Sequence, residues 1–509
     1  MIKQKIRFSI IILLLIVPAT KLSASGLGLK LVGARAFSLG GAFRGVANDF
    51  SAAYWNPAGM TRLNGFQLGF GAVGVRPLAT ITPKNLTPDV FNPNPADGGL
   101  YGLNNGYTIG ETSLTKKTHL IPSFAFGYHS EGSNIAYGLS FSIPFGLGTN
   151  WDLFNLEQVN NYGNSFSSQY PKFDTESDIA ILAIQPTVAY EFSEQLSVGV
   201  GFIYTIANKL SFRQPSFSNN PTLGTPFGTY QYPYLITDTI LDGTGTGFGL
   251  NFGVMLEASE QLSIGVDVQY FTDIDVDGEV TATTYFPFNK DKFEFISGLL
   301  ADPSLDDATK ALYTAAAGVY SGATLVNTSN AATTTVPLPL EIGVGIGYQV
   351  NEKLLIAADF MFTQWSAWDE IPININKDFD GDGVNDVTTL VEHWDDVNKY
   401  SIGLEYLIMD SDDRQTFLRL GFTSDGSPIP DETLGAFIPD IGTKNSVFVG
   451  LGLNMGKITI DLAAQTMFVD DRTINKVSLF NGDPTDQTNL PGNWSLEESA
   501  LVAGLAYSF

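Results

Sequence analysis

The chain of 509 residues contains no cysteine. Disulfides, thiolate metal sites, a cysteine nucleophile and the lipidated cysteine of a lipoprotein are therefore excluded. Positive charge is also scarce, with 27 Lys and Arg against 53 Asp and Glu and a net charge of -26. Nucleic acid, whose phosphates need Lys and Arg to neutralise them, is not expected as a partner. Charged residues of both signs make up only 16% of the chain, where about a quarter is usual, which points to surfaces facing lipid rather than water. The histidines are His119, His129 and His393, and no Gly-x-Ser-x-Gly elbow is present, so an enzyme is not expected. No apolar run reaches the roughly 20 residues of a spanning helix. Any membrane crossing must be made by strands.

What is present begins with an export address. Lys3, Lys5 and Arg7 precede an apolar run from Phe8 to Val17, and Leu22-Ser23-Ala24 or Ser23-Ala24-Ser25 offers a small-residue cleavage site. Residues 1–24 read as a cleaved signal peptide. Beyond them, period-2 alternation recurs, as in Gln261 to Tyr270, where Leu262, Ile264, Val266, Val268 and Tyr270 alternate with Ser263, Gly265, Asp267 and Gln269. About fourteen strand candidates start near residues 65, 119, 134, 179, 195, 245, 261, 337, 353, 398, 414, 444, 457 and 498. Short turns alternate with long connections, which a two-layer soluble fold has no reason to do. Backbone groups in hydrocarbon must all be paired, so the strands must close on one another without edges. The expected fold is all-β, a transmembrane antiparallel barrel of about fourteen strands over 65–509 with both termini in the periplasm.

The segment 25–64 differs. It is rich in small residues, with Gly40-Gly41-Ala42 and Ser51-Ala52-Ala53, and it reads as a hatch folded inside the lumen. Leu39-Gly40-Gly41-Ala42 with Tyr54-Trp55-Asn56-Pro57-Ala58-Gly59 resembles the N-terminal hatch of FadL-type outer-membrane transporters of long-chain fatty acids and other hydrocarbons. Pro144-Phe145-Gly146-Leu147, Gln364-Trp365-Ser366-Ala367-Trp368 and the stretch from Leu418 to Gly452 resemble the same family, in family order. The resemblance implies a monomeric barrel in the bacterial outer membrane, inserted among its lipids by the barrel assembly machinery, for which the aromatic end at Phe509 is similar to the known signal. It further implies passive uptake of hydrophobic small molecules, through a loop groove and an inner pocket, with sideways release at a kink in the third strand.

Several residues are candidates for particular roles. Pro144 lacks an N–H and cannot extend a ladder, and Gly146 tolerates unusual backbone angles, so Pro144, Phe145 and Gly146 are where pairing is expected to fail. A fatty acid would bring a carboxylate, for which Arg419 and Lys209, on the lumen parity of their strands, are candidate partners. Pairing with lumen carboxylates such as Glu405 or Asp461 is the alternative. In the connection 273–336, Ser304 to Asp307 fits a capping box ahead of an apolar helix. Asp378, Asp380, Asp382 and Asp386 have the spacing of a calcium loop, with Thr389 where the bidentate Glu would stand. A structural Ca²⁺ there is an expectation, a full EF-hand is not, and no cofactor is required. The competing functions are a general diffusion porin for polar solutes and an outer-membrane lipid hydrolase.

Overall fold

The computed structural model describes residues 26–84, 111–153, 172–219, 222–225, 228–231, 234–285, 290–320, 324–378, 382–482 and 487–509; the expected signal peptide lies outside them. Fourteen strands form the wall: β1 Gly65–Pro83, β2 His119–His129, β3 Ile135–Trp151, β4 Thr175–Ser193, β5 Leu196–Asn219, β6 Tyr234–Ser259, β7 Leu262–Phe271, β8 Glu341–Asn351, β9 Leu354–Thr363, β10 Val397–Ser411, β11 Arg414–Asp425, β12 Lys444–Met455, β13 Ile458–Val469 and β14 Gly492–Ser508. Each pairs antiparallel with the next. β14 closes on β1 in an unbroken register from Gln67↔Ser508 to Pro83↔Gly492. Each strand of the wall thus has a partner on both sides, as hydrocarbon requires, and the ladder is cut short only between β2 and β3.

The alternation has its expected cause. In β8, Ile342, Val344, Ile346 and Tyr348 are exposed to the outside, while Glu341, Gly343, Gly345 and Gly347 are buried inside. Near the short turns, Tyr128, Tyr190, Phe192, Tyr348, Tyr406 and Tyr507 face outward and form one aromatic girdle. Phe509 joins it, 68% exposed, its ring 5.1 Å from that of Phe66 and its N–H donating to the Phe66 carbonyl at 3.0 Å.

On the opposite rim several strands run on beyond the barrel. β6 starts at Tyr234, ahead of the expected 245, and with strands Ile274–Tyr285 and Thr324–Val336 it extends the sheet outward. The apolar alternation that marks strands in lipid is lost there because the outward face, with Asp242, Thr244 and Thr246, meets water instead of hydrocarbon. β3 likewise continues through Pro144 to Trp151, where the sequence pattern places the start of a long connection over 144–178.

The bore is filled by the N-terminal segment. Helices α1 (Ala34–Ser38) and α2 (Ala52–Trp55) and a 3-10 turn (Pro57–Arg62) fold around Val32, Leu39, Phe43, Trp55 and Met60. Trp55 Nε1 donates to the Val32 carbonyl at 2.8 Å. The wall makes room with glycines: a Cβ at Gly199 would lie 2.4 Å from Pro57, and one at Gly265 2.0 Å from the Arg44 carbonyl. Two further helices, α3 (Lys290–Leu300) and α4 (Asp307–Tyr320), lie between the two strands of the outer extension in the chain and pack on each other. α4 is capped by Asp306, whose Oδ1 accepts from Thr309 N at 2.8 Å, rather than by Ser304.

Candidate functional site

The wall has a window between β2 and β3. Their ladder runs only from His129↔Ala136 to Phe124↔Phe141, whereas β1 pairs with β2 as far as Val75↔His119. On its other flank β3 carries one extra residue against β4 between Ser142 and Phe145, a bulge centred on Pro144. The two edges of the window, His119 to Ser123 and Ser142 to Gly148, each contain a proline, Pro122 and Pro144, and so each lacks a donor. Above the window the backbone pairs again, Thr115 N donating to Asn150 O at 3.0 Å. Across it lies a side chain, the His119 ring, so close to Gly148 that a Cβ there would sit 2.6 Å away.

From inside, the first described residues cover the opening. Leu29 N donates to Pro144 O at 2.7 Å and Gly146 N to Leu27 O at 3.1 Å, so Leu27 to Leu29 lie along β3 where β2 has withdrawn. Gly26 N in turn donates to Asp440 Oδ2 at 2.9 Å. Phe145 is buried, with Phe271 at 5.4 Å and Trp365 at 6.2 Å.

Behind the window is a cavity of about 450 Å³, floored by the hatch. Its two sides differ. Leu120, Ile121, Ile143, Leu147 and Ile179 line the window side, and Lys399, Asp425, Lys444, Asp440, Gln465 and Glu498 lie on strands β10 to β14 and the loop before β12. Lys399 Nζ lies 2.9 Å from Asp425, and Lys444 pairs with Asp440.

The hatch is tied to the wall by ions. Arg44 pairs with Asp267 and, at 3.3 Å, with Asp359, whose Oδ2 also accepts the Phe43 and Arg44 N–H groups at 3.2 and 3.0 Å. Lys30 pairs with Glu341, Arg62 with Glu257, and Arg35 with Glu405 at 2.9 Å. In the motif 56–59, Asn56 Nδ2 donates to the Arg44 and Val254 carbonyls at 3.1 Å, and its Oδ1 accepts from Ala58 N. Pro57 opens the 3-10 turn, and Gly59 leaves space that a Cβ would lose to the Ala47 carbonyl 2.2 Å away.

The candidate cations sit elsewhere than the cavity lining. Arg419 is buried with its guanidinium 2.5 Å from both Glu405 and Asp461, so its charge is already compensated. Lys209 lies within a bulge between Ala207 and Leu210 that shifts the alternation, so Leu210 is buried and Lys209 is exposed, 2.5 Å from Asp178. In the acidic loop, Asp378 accepts from Gly383 N at 2.9 Å and Asp382 from Val384 N at 2.7 Å, while Asp380 lies outside the described residues.

The outer cap holds a group that sequence alone did not single out as buried. Glu392 is 7% exposed, accepts from Trp394 Nε1 at 2.6 Å, and has no cation within 4 Å among the described residues. Burial pushes its carboxyl up to about 8, against the opposing Trp394 hydrogen bond. The folded cap therefore keeps a proton that the unfolded segment releases near 4.5, and the cap loses stability as pH rises from about 4.5 through about 8. The loss is up to about 5 kcal/mol, and Glu392→Gln is expected to remove it. Hydrogen exchange of residues 387–397 between pH 5 and 9 measures this; equal pH dependence in wild type and variant would contradict it.

A closed barrel plugged by its own N-terminal segment, with a cavity opening on a break in the wall, defines a class of outer-membrane transport protein. Residues 15–509 match the family described as outer membrane protein transport protein (OMPP1/FadL/TodX), and the chain belongs to that family. It is 22% identical over 502 residues, 96% of each chain, to an outer membrane protein of Neisseria meningitidis serogroup B. Its fold is similar to that of a Pseudomonas aeruginosa FadL homologue, with a TM-score of 0.68 and 17% identity over 95% of this chain and 100% of that one. The Pseudomonas putida toluene transporter TodX gives 0.59 and 15% over 96% and 99%. The protein is thus an outer-membrane barrel of a family that transports hydrophobic compounds.

Proposed function

We propose that this protein takes hydrophobic molecules passively from the outer rim into the cavity behind the window and releases them sideways into the membrane. The observation that carries the reading is the pairing failure between β2 and β3 in a barrel whose bore is occupied by the hatch. A molecule in the cavity has the window as its nearest apolar exit. Entry is supported by a second, smaller apolar pocket under the outer extension, lined by Leu210, Leu241, Val276, Val336, Trp368 and Ile371. Ile179 lines both spaces. Leu27 to Leu29 must move from β3 before the window opens, which makes this segment the gate. Within the hatch of residues 25–64 the part from Lys30 onward stays in place while Leu27 to Leu29 move, and the aromatic Phe509 serves recognition by the barrel assembly machinery.

Two measurements test the reading together. Cells carrying the protein are expected to take up a labelled alkane or fatty acid with saturation, and the purified protein in a planar bilayer to pass no large stable current. Large stable currents without saturable uptake would replace it with the diffusion porin.

A further inference from the structure

The cavity's charges select among hydrophobic molecules, on the reading that this cavity is the transport pocket. Every lysine and arginine deep in the lining already has a carboxylate: Lys30 has Glu341, Arg44 has Asp267 and Asp359, Lys399 has Asp425, and Lys444 has Asp440. Lys117, the one lining cation with no carboxylate partner among the described residues, is exposed at the mouth, where water screens it. The lining also holds a surplus acceptor. Glu498 faces the lumen on β14, half-buried, and makes no hydrogen bond or ion pair with any described residue. Lys399 and Lys444 act on it only from a distance.

A ligand carboxylate entering this space would have to displace Asp425 or Asp440 from its lysine, or stand unpaired beside Glu498. Both cost free energy, since a buried charge without a partner and like charges in contact are each unfavourable. A hydroxyl or amide N–H has no such difficulty. Its alkyl or aryl body would lie against Leu120, Ile121, Ile143 and Leu147, and its proton would satisfy the vacant oxygen. We propose that the preferred cargo is an uncharged amphiphile with a hydrogen-bond-donating head, that Glu498 accepts from that head, and that free carboxylates are disfavoured.

The test uses the purified full-length protein and three probes of equal chain length, dodecane, 1-dodecanol and dodecanoate at pH 8, each titrated against a fluorescent apolar reporter bound in the cavity. 1-Dodecanol is expected to displace the reporter at a concentration at least about tenfold below dodecanoate, the effect of one hydrogen bond to a charged group. Glu498→Leu is expected to bring dodecanol to the level of dodecane, with heat-modifiable migration reporting that the barrel is folded. Glu498→Gln, which keeps an acceptor, is expected to retain most of the preference. Dodecanoate binding as tightly as dodecanol, or a dodecanol preference untouched in Glu498→Leu, would overturn the proposal while leaving the transport reading intact. If none of the three displaces the reporter, both fall together.

Discussion

Deleting Pro144 and replacing Pro122 with Val is expected to abolish uptake of apolar molecules while the barrel still folds and inserts. β3 has one residue too many against β4 between Ser142 and Phe145, so the deletion restores a regular register there. The Pro122 substitution returns a missing N–H to the facing edge. Strands β2 and β3 then have what they need to continue their ladder beyond Phe124↔Phe141. About four new backbone hydrogen bonds, each worth on the order of 1 kcal/mol net, would make an open window about a thousandfold rarer. The inner covering also loses its anchor, since Leu29 N donates to the carbonyl of the deleted residue. Uptake, heat-modifiable migration and protease resistance should be measured together. A folded variant with normal uptake would mean that cargo leaves by another route.

Much of the barrel was legible because lipid imposes a simple rule on each strand separately. Leu262 to Tyr270 alternates over its whole length, and its neighbours do the same, so fourteen strands could be placed one at a time. The rule stops where lipid stops. β6 runs eleven residues farther out than alternation suggested, because past the membrane its outward face meets water rather than hydrocarbon and carries Asp242, Thr244 and Thr246. Lys209 shows a second limit: parity counting assumes a regular ladder, and the bulge after Ala207 undoes it.

The site was legible only where a single residue carries its own chemistry. A proline cannot donate, so Pro144 stood out without any knowledge of its surroundings. Lys399, Asp425, Lys444 and Glu498 are ordinary lumen residues until the closed barrel brings β10, β11, β12 and β14 around one space. Glu392 stands in the acidic stretch Glu392-His393-Trp394-Asp395-Asp396, and its burial under Trp394 follows from packing that local pattern does not encode. Arg44 lay unnoticed inside a run of small residues, with partners 223 and 315 positions away in the chain.

Arg44→Met is expected to free the hatch. The guanidinium is buried between Asp267 and Asp359, and its removal leaves two buried carboxylates from adjoining parts of the wall without their cation. Breaking a buried pair in this way costs about 3–5 kcal/mol. The remaining ties, Lys30 to Glu341, Arg35 to Glu405 and Arg62 to Glu257, are spread along the same segment. None replaces a link that also orders the backbone: Asp359 holds the Phe43 and Arg44 N–H groups, and the Arg44 carbonyl accepts from Asn56. Flickering conductance in planar bilayers and greater permeability to large polar antibiotics are the expected readouts. Arg44→Lys should give an intermediate result, because a lysine keeps the charge but cannot span both carboxylates with a planar fork. The triple variant Arg44→Met, Asp267→Asn, Asp359→Asn decides the cause. If uncompensated charge unseats the hatch, neutralising both partners should restore a quiet, closed barrel; if the triple variant leaks as much as Arg44→Met, the lost packing of the arginine itself holds the plug, and the ionic account is wrong.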